Sequence, residues 1–120
     1  MNWNAEFTHE FLAMAKKLHK KYRSLPTDLE EFKNEIEKNP FQGAELTPGI
    51  RKIRMAISSK GGGKSKGARI ITLTYTISEE TGQIVFLLIY DHNQADTVDA
   101  NKVKALAKQI GYNINNLQVK

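Results

Sequence analysis

The sequence contains no cysteine, and this absence excludes several kinds of chemistry at once. Disulfide bonds, thiol catalysis and cysteine-ligated zinc are all ruled out. Long hydrophobic runs are missing as well, because the longest, from Ile84 to Tyr90, is far too short to cross a bilayer. The first residues also lack the basic start and apolar run of a signal peptide. We therefore expect a cytoplasmic protein without a membrane partner.

The excess of positive charge is concentrated in one internal stretch of the chain. The 120 residues suffice for a single domain with one core, and their net charge is +5. Residues 1–45 and 79–120 each carry one more acid than they carry Lys and Arg. Residues 46–78 carry seven Lys and Arg and no Asp or Glu. This distribution predicts a local anion-binding site rather than a generally basic surface.

Two amphipathic helices are predicted at the start of the chain. Over residues 5–22, apolar side chains recur every three or four positions, at Phe7, Phe11, Ala15, Leu18 and Tyr22. Thr27 and Glu30 have the spacing of a capping box, which predicts the start of a second helix. Asn39 ends that helix, because the residue before a proline avoids helical backbone angles. The short break between the two predicts a helical hairpin over residues 5–38.

A period of two replaces the helical period after a predicted loop at residues 39–49. Strands are predicted from Lys52 to Ser58, from Arg69 to Thr76 and from Ile84 to Tyr90. The third strand is apolar on both faces, which is typical of a central strand. A last helix is predicted at residues 97–110, with Thr97 or Asp99 as its N-cap and Gly111 as its C-cap, followed by a tail at 111–120.

This order of elements predicts one α+β domain over residues 1–120. The helices are expected to cover one face of a small antiparallel sheet of three to four strands, which spans residues 45–91. The other face would then be open. It would present whatever the strands project outward.

Two apparent motifs do not support the chemistry usually associated with them. Gly63-Lys64-Ser65 resembles part of a nucleotide-binding P-loop, but the earlier glycine is missing and a strand follows instead of a helix. Asp91, His92 and Asp96 are the only close group of possible metal ligands, and the group is more typical of a solvated polar loop. We therefore predict no metal and no small-molecule cofactor.

The basic stretch predicts a phosphate site on the open face of the sheet. Lys52 and Arg54 alternate along one strand, so both side chains point the same way. Arg69 opens the next strand and comes opposite them if the two strands form a hairpin. Further cations that could bind RNA lie beside the first strand or on the glycine-rich connection after it: Arg51, Lys60, Lys64 and Lys66. Such a cluster suits a phosphodiester backbone, although lysines also decorate exposed strands.

Tyr90 and His92 stand at the end of the central strand, where a sheet often presents residues to a ligand. A tyrosine there can stack on a nucleobase, or pack half-buried in the core. A histidine can give or accept a proton near neutral pH, or be an ordinary loop residue. Both alternatives stay open for both residues.

Three segments carry a resemblance to a known family. They are Gly49 to Ala56, the lysine loop that leads into Gly67-Ala68-Arg69-Ile70-Ile71, and Leu87 to Asp91. With the helical residues before them, they cover about residues 7–110. On these segments the chain resembles the RelE/ParE superfamily of toxins from bacterial toxin–antitoxin modules, and most of all its RelE/HigB-like branch.

The resemblance implies a ribosome-dependent endoribonuclease that cuts mRNA without a metal. In such a reaction the 2′-hydroxyl attacks the adjacent phosphate and leaves a cyclic phosphate and a 5′-hydroxyl. Lys52 and Arg54 match paired basic positions of the family, and Lys52 is the candidate base because arginine stays charged. Arg69 matches the arginine at the scissile phosphate and would stabilise the transition state. RelE itself has an arginine and then a tyrosine after the central strand, so here His92 becomes the candidate acid, with Tyr90 stacking or hydrogen bonding.

The expected partners are mRNA, the ribosome and a cognate antitoxin protein. A strongly basic face invites an acidic, partly disordered segment that folds on binding. Two other functions remain open. One is a ParE-like inhibitor of DNA gyrase that cuts no RNA, and the other is a non-catalytic RNA-binding module on the same basic face.

Overall fold

The computed structural model describes residues 1–94 and 100–109. This part of the chain holds five strands and three α-helices. In chain order they are β1 (Asn2–Phe7), α1 (His9–Lys21), α2 (Leu25–Lys38), β2 (Ala44–Thr47), β3 (Ile50–Met55), β4 (Ala68–Thr76), β5 (Thr81–Asp91) and α3 (Ala100–Gln109). A short 3-10 helix, Lys64–Lys66, lies in the connection between β3 and β4. The protein is therefore α+β, as predicted.

The five strands form one sheet in the order β1-β5-β4-β3-β2. Four of them are connected as an antiparallel series, whereas β1 pairs parallel to β5. The predicted sheet of three to four antiparallel strands is therefore wrong in the number of its strands and in this parallel pair. The apolar strand β5 lies inside the sheet, between β1 and β4, which explains why both of its faces are buried.

The prediction that the first helix begins at residue 5 is wrong, because Asn2–Phe7 is a strand. Trp3, Ala5 and Phe7 alternate with polar residues, and Phe7 satisfies the strand period and the helical period equally well. Helix α1 begins after Thr8, whose hydroxyl accepts a hydrogen bond of 3.0 Å from the amide of Phe11.

Other boundaries also differ from those predicted: β3 ends at Met55 and not at Ser58, and β5 begins at Thr81 and not at Ile84. Helix α2 begins at Leu25, with Pro26 in its first turn, instead of being capped by Thr27. The predicted loop at 39–49 contains the strand β2, which is joined to β3 by Pro48 and Gly49. Gly49 has a φ of 86°, as the third position of a type II turn requires. Strand β2 is only four residues long and lies between turn residues, so its alternation is too brief to identify.

Apolar side chains pack on both faces of the sheet. Helices α1 and α2 cover one face, where Phe11, Phe32 and Phe86 belong to the larger core cluster. Helix α3 packs on the opposite face through Val103 and Ala107. The predictions that all helices share one face and that the other face is open are therefore both wrong, because α3 packs on the face that carries Lys52 and Arg54. Thr97, Asp99, Gly111 and the tail 111–120 lie outside the described residues, and none of the described helices is long and apolar enough to cross a membrane.

An irregular register between β4 and β5 sets which residues face each core. Ile71 pairs with Leu88, but Thr72 pairs with Phe86, so one extra residue of β5 is accommodated at Leu87. As a result, Phe86 and Ile89 both belong to the α1 and α2 side, whereas Leu87 and Tyr90 belong to the α3 side. This bulge places Tyr90 on the same face as Lys52 and Arg54.

Candidate nucleic-acid interface

A row of three side chains crosses the sheet at the end nearest the glycine-rich loop. Arg54 on β3 pairs directly with Arg69 on β4, and Arg69 pairs with Tyr90 on β5. Directly opposite residues on neighbouring strands present their side chains on the same face. The row therefore spans about 10 Å, two strand spacings. The sheet therefore brings Arg69 and Tyr90 together with Arg54, with which they were predicted to share a site.

Lys52 adjoins this row on the same face. It pairs with Ile71, which pairs in turn with Leu88, so the neighbours of Lys52 in its own row are apolar. Lys52 is half-buried and Arg54 is exposed. Neither forms a hydrogen bond or ion pair with any residue in 1–94 or 100–109. Two cationic groups on this face are therefore available to an anion.

Arg69 is held by the loop that precedes it. Its Nη1 donates to the carbonyl oxygens of Lys64 and Ala68 at 3.2 and 3.3 Å, and its Nη2 donates to that of Ser65 at 2.8 Å. The Nε–H has no acceptor among the described side chains and backbone groups. Arg69 thus positions the 3-10 helix Lys64–Lys66 at the edge of the row, and it keeps part of its donor capacity for a ligand.

The loop returns to the sheet very close to the end of β3. A Cβ on Gly67 would lie 2.0 Å from the carbonyl oxygen of Met55, so no larger residue fits without a backbone shift. The carbonyl of Gly67 in turn accepts a hydrogen bond of 3.1 Å from the amide of His92. Lys64 and Lys66 are exposed on this loop, at the rim of the row.

The structure does not bring Arg51 or Lys60 to the row as free cations. Arg51 lies on the opposite face, beside Ile53 rather than beside Lys52, and forms an ion pair of 3.4 Å with Glu45. Its guanidinium also lies 5.6 Å from the ring centre of Phe41. Two of the seven bases in the basic stretch therefore have carboxylate partners, since Lys60 pairs with Asp91.

The stretch without acids in the sequence is also not free of acids in space. Arg54 and Lys64 border a recess of about 110 Å³ together with Glu31 and Glu35 of α2. Carboxylates from a distant segment thus lie near one end of the row. Without Arg51 and Lys60, the candidate interface consists of Lys52, Arg54 and Arg69, with Lys64 and Lys66 at its margin.

A second cluster is centred on the buried carboxylate of Asp91. The Tyr22 hydroxyl donates to Oδ2 of Asp91, and Lys60 Nζ donates to Oδ1 at 2.7 Å. His92 Nδ1 lies 3.2 Å from the same Oδ1 and 3.2 Å from Lys60 Nζ. The amide of Asn93 donates to Oδ1 at 3.3 Å. The ring of His92 is therefore anchored through Nδ1, and Nε2 is the nitrogen left for a proton transfer.

The environment shifts two pKa values in this region. Burial alone would raise the pKa of Asp91, but hydrogen bonds from Lys60 and Tyr22, with that from Asn93 and the charge of Lys60, lower it from 3.8 to about 2. Asp91 is therefore ionised at neutral pH. Burial raises the pKa of Tyr90 above its ordinary value, and the charge of Arg69 offsets part of this rise. The phenol of Tyr90 is therefore protonated and can act as a donor.

Tyr90 and His92 occupy different surroundings. Tyr90 is only 7% exposed and belongs to the core on the α3 side, so it offers an edge or a hydroxyl rather than an open ring face. His92 belongs to the Asp91 cluster, and within the described ranges it has no hydrogen bond to the row. Asp96 lies outside those ranges, and no three His, Asp or Glu side chains inside them come together as metal ligands.

Sequence reasoning missed the central role of Asp91 and the contribution of Tyr22. Tyr22 occurs in the sequence as the last apolar-face residue of a helix, and 69 residues separate it from Asp91. No local pattern in the sequence indicates that these two side chains are in contact. Comparison with models of known protein families finds no match for this chain.

Proposed function

We propose that this protein is a metal-independent endoribonuclease that cuts mRNA on the ribosome, as the toxin of a bacterial toxin–antitoxin module. The observation that carries the proposal is the cross-strand row of Arg54, Arg69 and Tyr90, with Lys52 beside it. Three cations on one face, none of them paired with a described carboxylate, suit the phosphates of a single RNA strand. The resemblance to RelE-like toxins supplies the reaction.

In the proposed reaction, the phosphate next to the cut lies on Arg69. Lys52 first releases a proton to solvent, and the 2′-oxygen then forms a bond to phosphorus as its own proton passes to the amine of Lys52. Negative charge builds up on the non-bridging oxygens, where Arg69 and Arg54 stabilise it. The bond from phosphorus to the 5′-oxygen breaks. His92 donates a proton to that oxygen from Nε2, which leaves a cyclic phosphate and a 5′-hydroxyl.

The Asp91 cluster fits this assignment of His92. The carboxylate of Asp91 lies at Nδ1 and orients the ring, which leaves Nε2 as the nitrogen assigned to donate the proton. Tyr90 is assigned a hydrogen bond from its protonated hydroxyl to the same phosphate. Because the ring of Tyr90 is almost fully covered, we assign it no base stacking.

The proposal includes a cognate antitoxin and a cytoplasmic site of action, where ribosomes and mRNA are found. A second function, non-catalytic RNA binding, is favoured by one observation. His92 Nδ1 lies 3.2 Å from both Asp91 Oδ1 and Lys60 Nζ, but the side chain has no hydrogen bond with Arg69 or Arg54 among the described residues. An RNA strand could then be held by the row without a proton donor beside it.

Mapping of mRNA 5′ ends after induced expression tests the proposal. The proposal expects new 5′-hydroxyl ends within coding regions while translation runs, and none when initiation is blocked beforehand. Intact mRNA with bound RNA recovered on the protein would establish the binding module instead. Intact mRNA together with loss of gyrase supercoiling on addition of the pure protein would establish a gyrase inhibitor.

A further inference from the structure

A groove lies on the opposite side of β5 from β4, and of the residues that line it only Tyr90 is used in the proposed reaction. It has a volume of about 400 Å³ and lies between α1 and the last part of β5. Its wall on the α1 side includes Met14 and Leu18, and its wall on the β5 side includes Leu88 and Ile89. These aliphatic side chains make the lining suitable for apolar groups.

The groove runs along an open edge of the sheet. Strand β1 pairs with β5 only as far as Phe7 and Phe86, whereas β5 continues to Asp91. The Thr8 hydroxyl lies 3.3 Å from the Leu87 carbonyl oxygen and ends the contact between the two segments. Beyond this point, β5 has no strand partner on that side within residues 1–94 and 100–109, and only at its end does the amide of Asp91 donate to Oε1 of Gln94, at 2.8 Å. An unpaired strand edge is a template for an added strand.

Positive charge surrounds the same groove. Lys17 and Lys21 line it, and both are exposed. Helix α1 carries four lysines and a single acid, Glu10, which lies in its first turn. A ligand that is complementary to the groove must therefore combine apolar side chains with carboxylates.

We propose that this groove binds an extended segment of a partner protein, which adds as a strand to residues 87–91. Alternating apolar residues of the segment would fill the space between Met14 and Leu88, and flanking Asp or Glu residues would pair with Lys17 and Lys21. Strand addition of this kind takes its affinity from main-chain hydrogen bonds and its specificity from side-chain pockets. The aliphatic lining and the open edge favour a peptide over an RNA strand, which prefers aromatic surfaces.

Selection from a phage-displayed library of random dodecapeptides, with the full chain immobilised, tests this inference. We expect the enriched peptides to share apolar residues at alternate positions with at least two acidic residues. Synthetic copies should bind Lys17→Glu/Lys21→Glu protein roughly tenfold more weakly than wild type. The matched pair Lys16→Glu/Lys20→Glu, on the same helix but outside the groove, should change the affinity by less than about threefold. Amide exchange should slow at residues 87–91 when a peptide is bound.

Several results would overturn the inference. These are enrichment without acidic residues, equal loss of binding in both double variants, or binding without slower exchange at 87–91. Displacement of the peptide by a single-stranded oligouridylate that depends on Lys17 and Lys21 would assign the groove to RNA. Far-ultraviolet circular dichroism of each variant establishes that it is folded. None of these measurements involves mRNA cleavage, so they are independent of the proposed nuclease activity.

Discussion

The Nζ atom of Lys60 lies 2.7 Å from Oδ1 of Asp91, so a lysine of the glycine-rich loop is anchored to the last residue of β5. The pair is almost shielded from solvent, with side-chain exposures of 17% and 2%. Breaking a buried pair of this kind leaves an uncompensated charge and is costly. The pair also holds the loop beside the row of Arg54, Arg69 and Tyr90, so it contributes both to the stability of the fold and to the geometry of the site.

Asp91→Asn should destabilise the protein in a pH-dependent way. The folded pKa of Asp91, about 2, lies below the ordinary value of 3.8, so its ionised form stabilises the fold above pH 3.8. That contribution is lost as the pH falls through the folded value. We expect urea unfolding to show a wild-type advantage of about 2 kcal/mol at pH 6 that shrinks to about 1 kcal/mol at pH 3. Glu79→Gln, at an exposed turn, is the control, and an advantage independent of pH would refute this prediction.

The parallel pairing of β1 with β5 can be tested by a double-mutant cycle. Trp3 lies opposite Gly82, where an added Cβ would be 2.3 Å from the indole ring. Gly82→Ala should therefore cost about 1–3 kcal/mol in the wild-type background. In a Trp3→Val background the same change should cost less than about 1 kcal/mol. Equal costs in the two backgrounds, measured by urea unfolding, would mean that the strand register is wrong.

His92→Gln should separate cleavage from binding. Removal of a general acid lowers the rate roughly a hundredfold or more, whereas the cations that bind the phosphates are untouched. We expect mRNA cleavage on programmed ribosomes to fall by that amount while the affinity for RNA stays the same. His19→Gln, an exposed histidine on α1, should behave as wild type. Undiminished cleavage by His92→Gln would remove this residue from the mechanism.

Lys52→Ala should weaken RNA binding in a manner that depends on salt. A cation in contact with one phosphate contributes about 0.7 to the slope of log affinity against log salt for a single strand. We expect the slope, measured by fluorescence anisotropy with a labelled oligoribonucleotide, to fall by about that amount. Lys38→Ala, on the exposed end of α2, should leave it unchanged. An unchanged slope for Lys52→Ala would show that Lys52 contacts no phosphate.

The sequence predicted the parts of this fold that repeat over many residues. The helical period of Phe11, Ala15 and Leu18 and the two-sided apolar run of β5 were long enough to identify. The short strands β1 and β2 were not, because four to six residues with Asn, Ala and Glu carry little preference of their own. Strand β1 forms because it can pair with the edge of β5. This pairing is a tertiary interaction, which the local sequence of β1 does not indicate.

The candidate site was likewise predicted only where a repeating sequence pattern positions its residues. Alternation along β3 correctly placed Lys52 and Arg54 on one face, and the hairpin brought Arg69 opposite Arg54. The pairing of Lys60 with Asp91 depends on a loop that returns to the sheet, and no spacing in the sequence indicates it. The position of Tyr90 depends on the bulge at Leu87, which a strict period of two does not predict.

The most direct measurement compares two arginines of the basic stretch on opposite faces of the sheet. Arg69→Ala and Arg51→Ala are each expressed under induction, and mRNA 5′ ends are mapped alongside wild type. If the row is the catalytic phosphate site, Arg69→Ala should yield about a hundredfold fewer new ends, and Arg51→Ala should match wild type. Thermal melting, with Arg69→Lys as a second variant, checks that the loop still folds. A folded Arg69→Ala protein that cuts mRNA as wild type does, or an equal loss in Arg51→Ala, would contradict the assignment of this face.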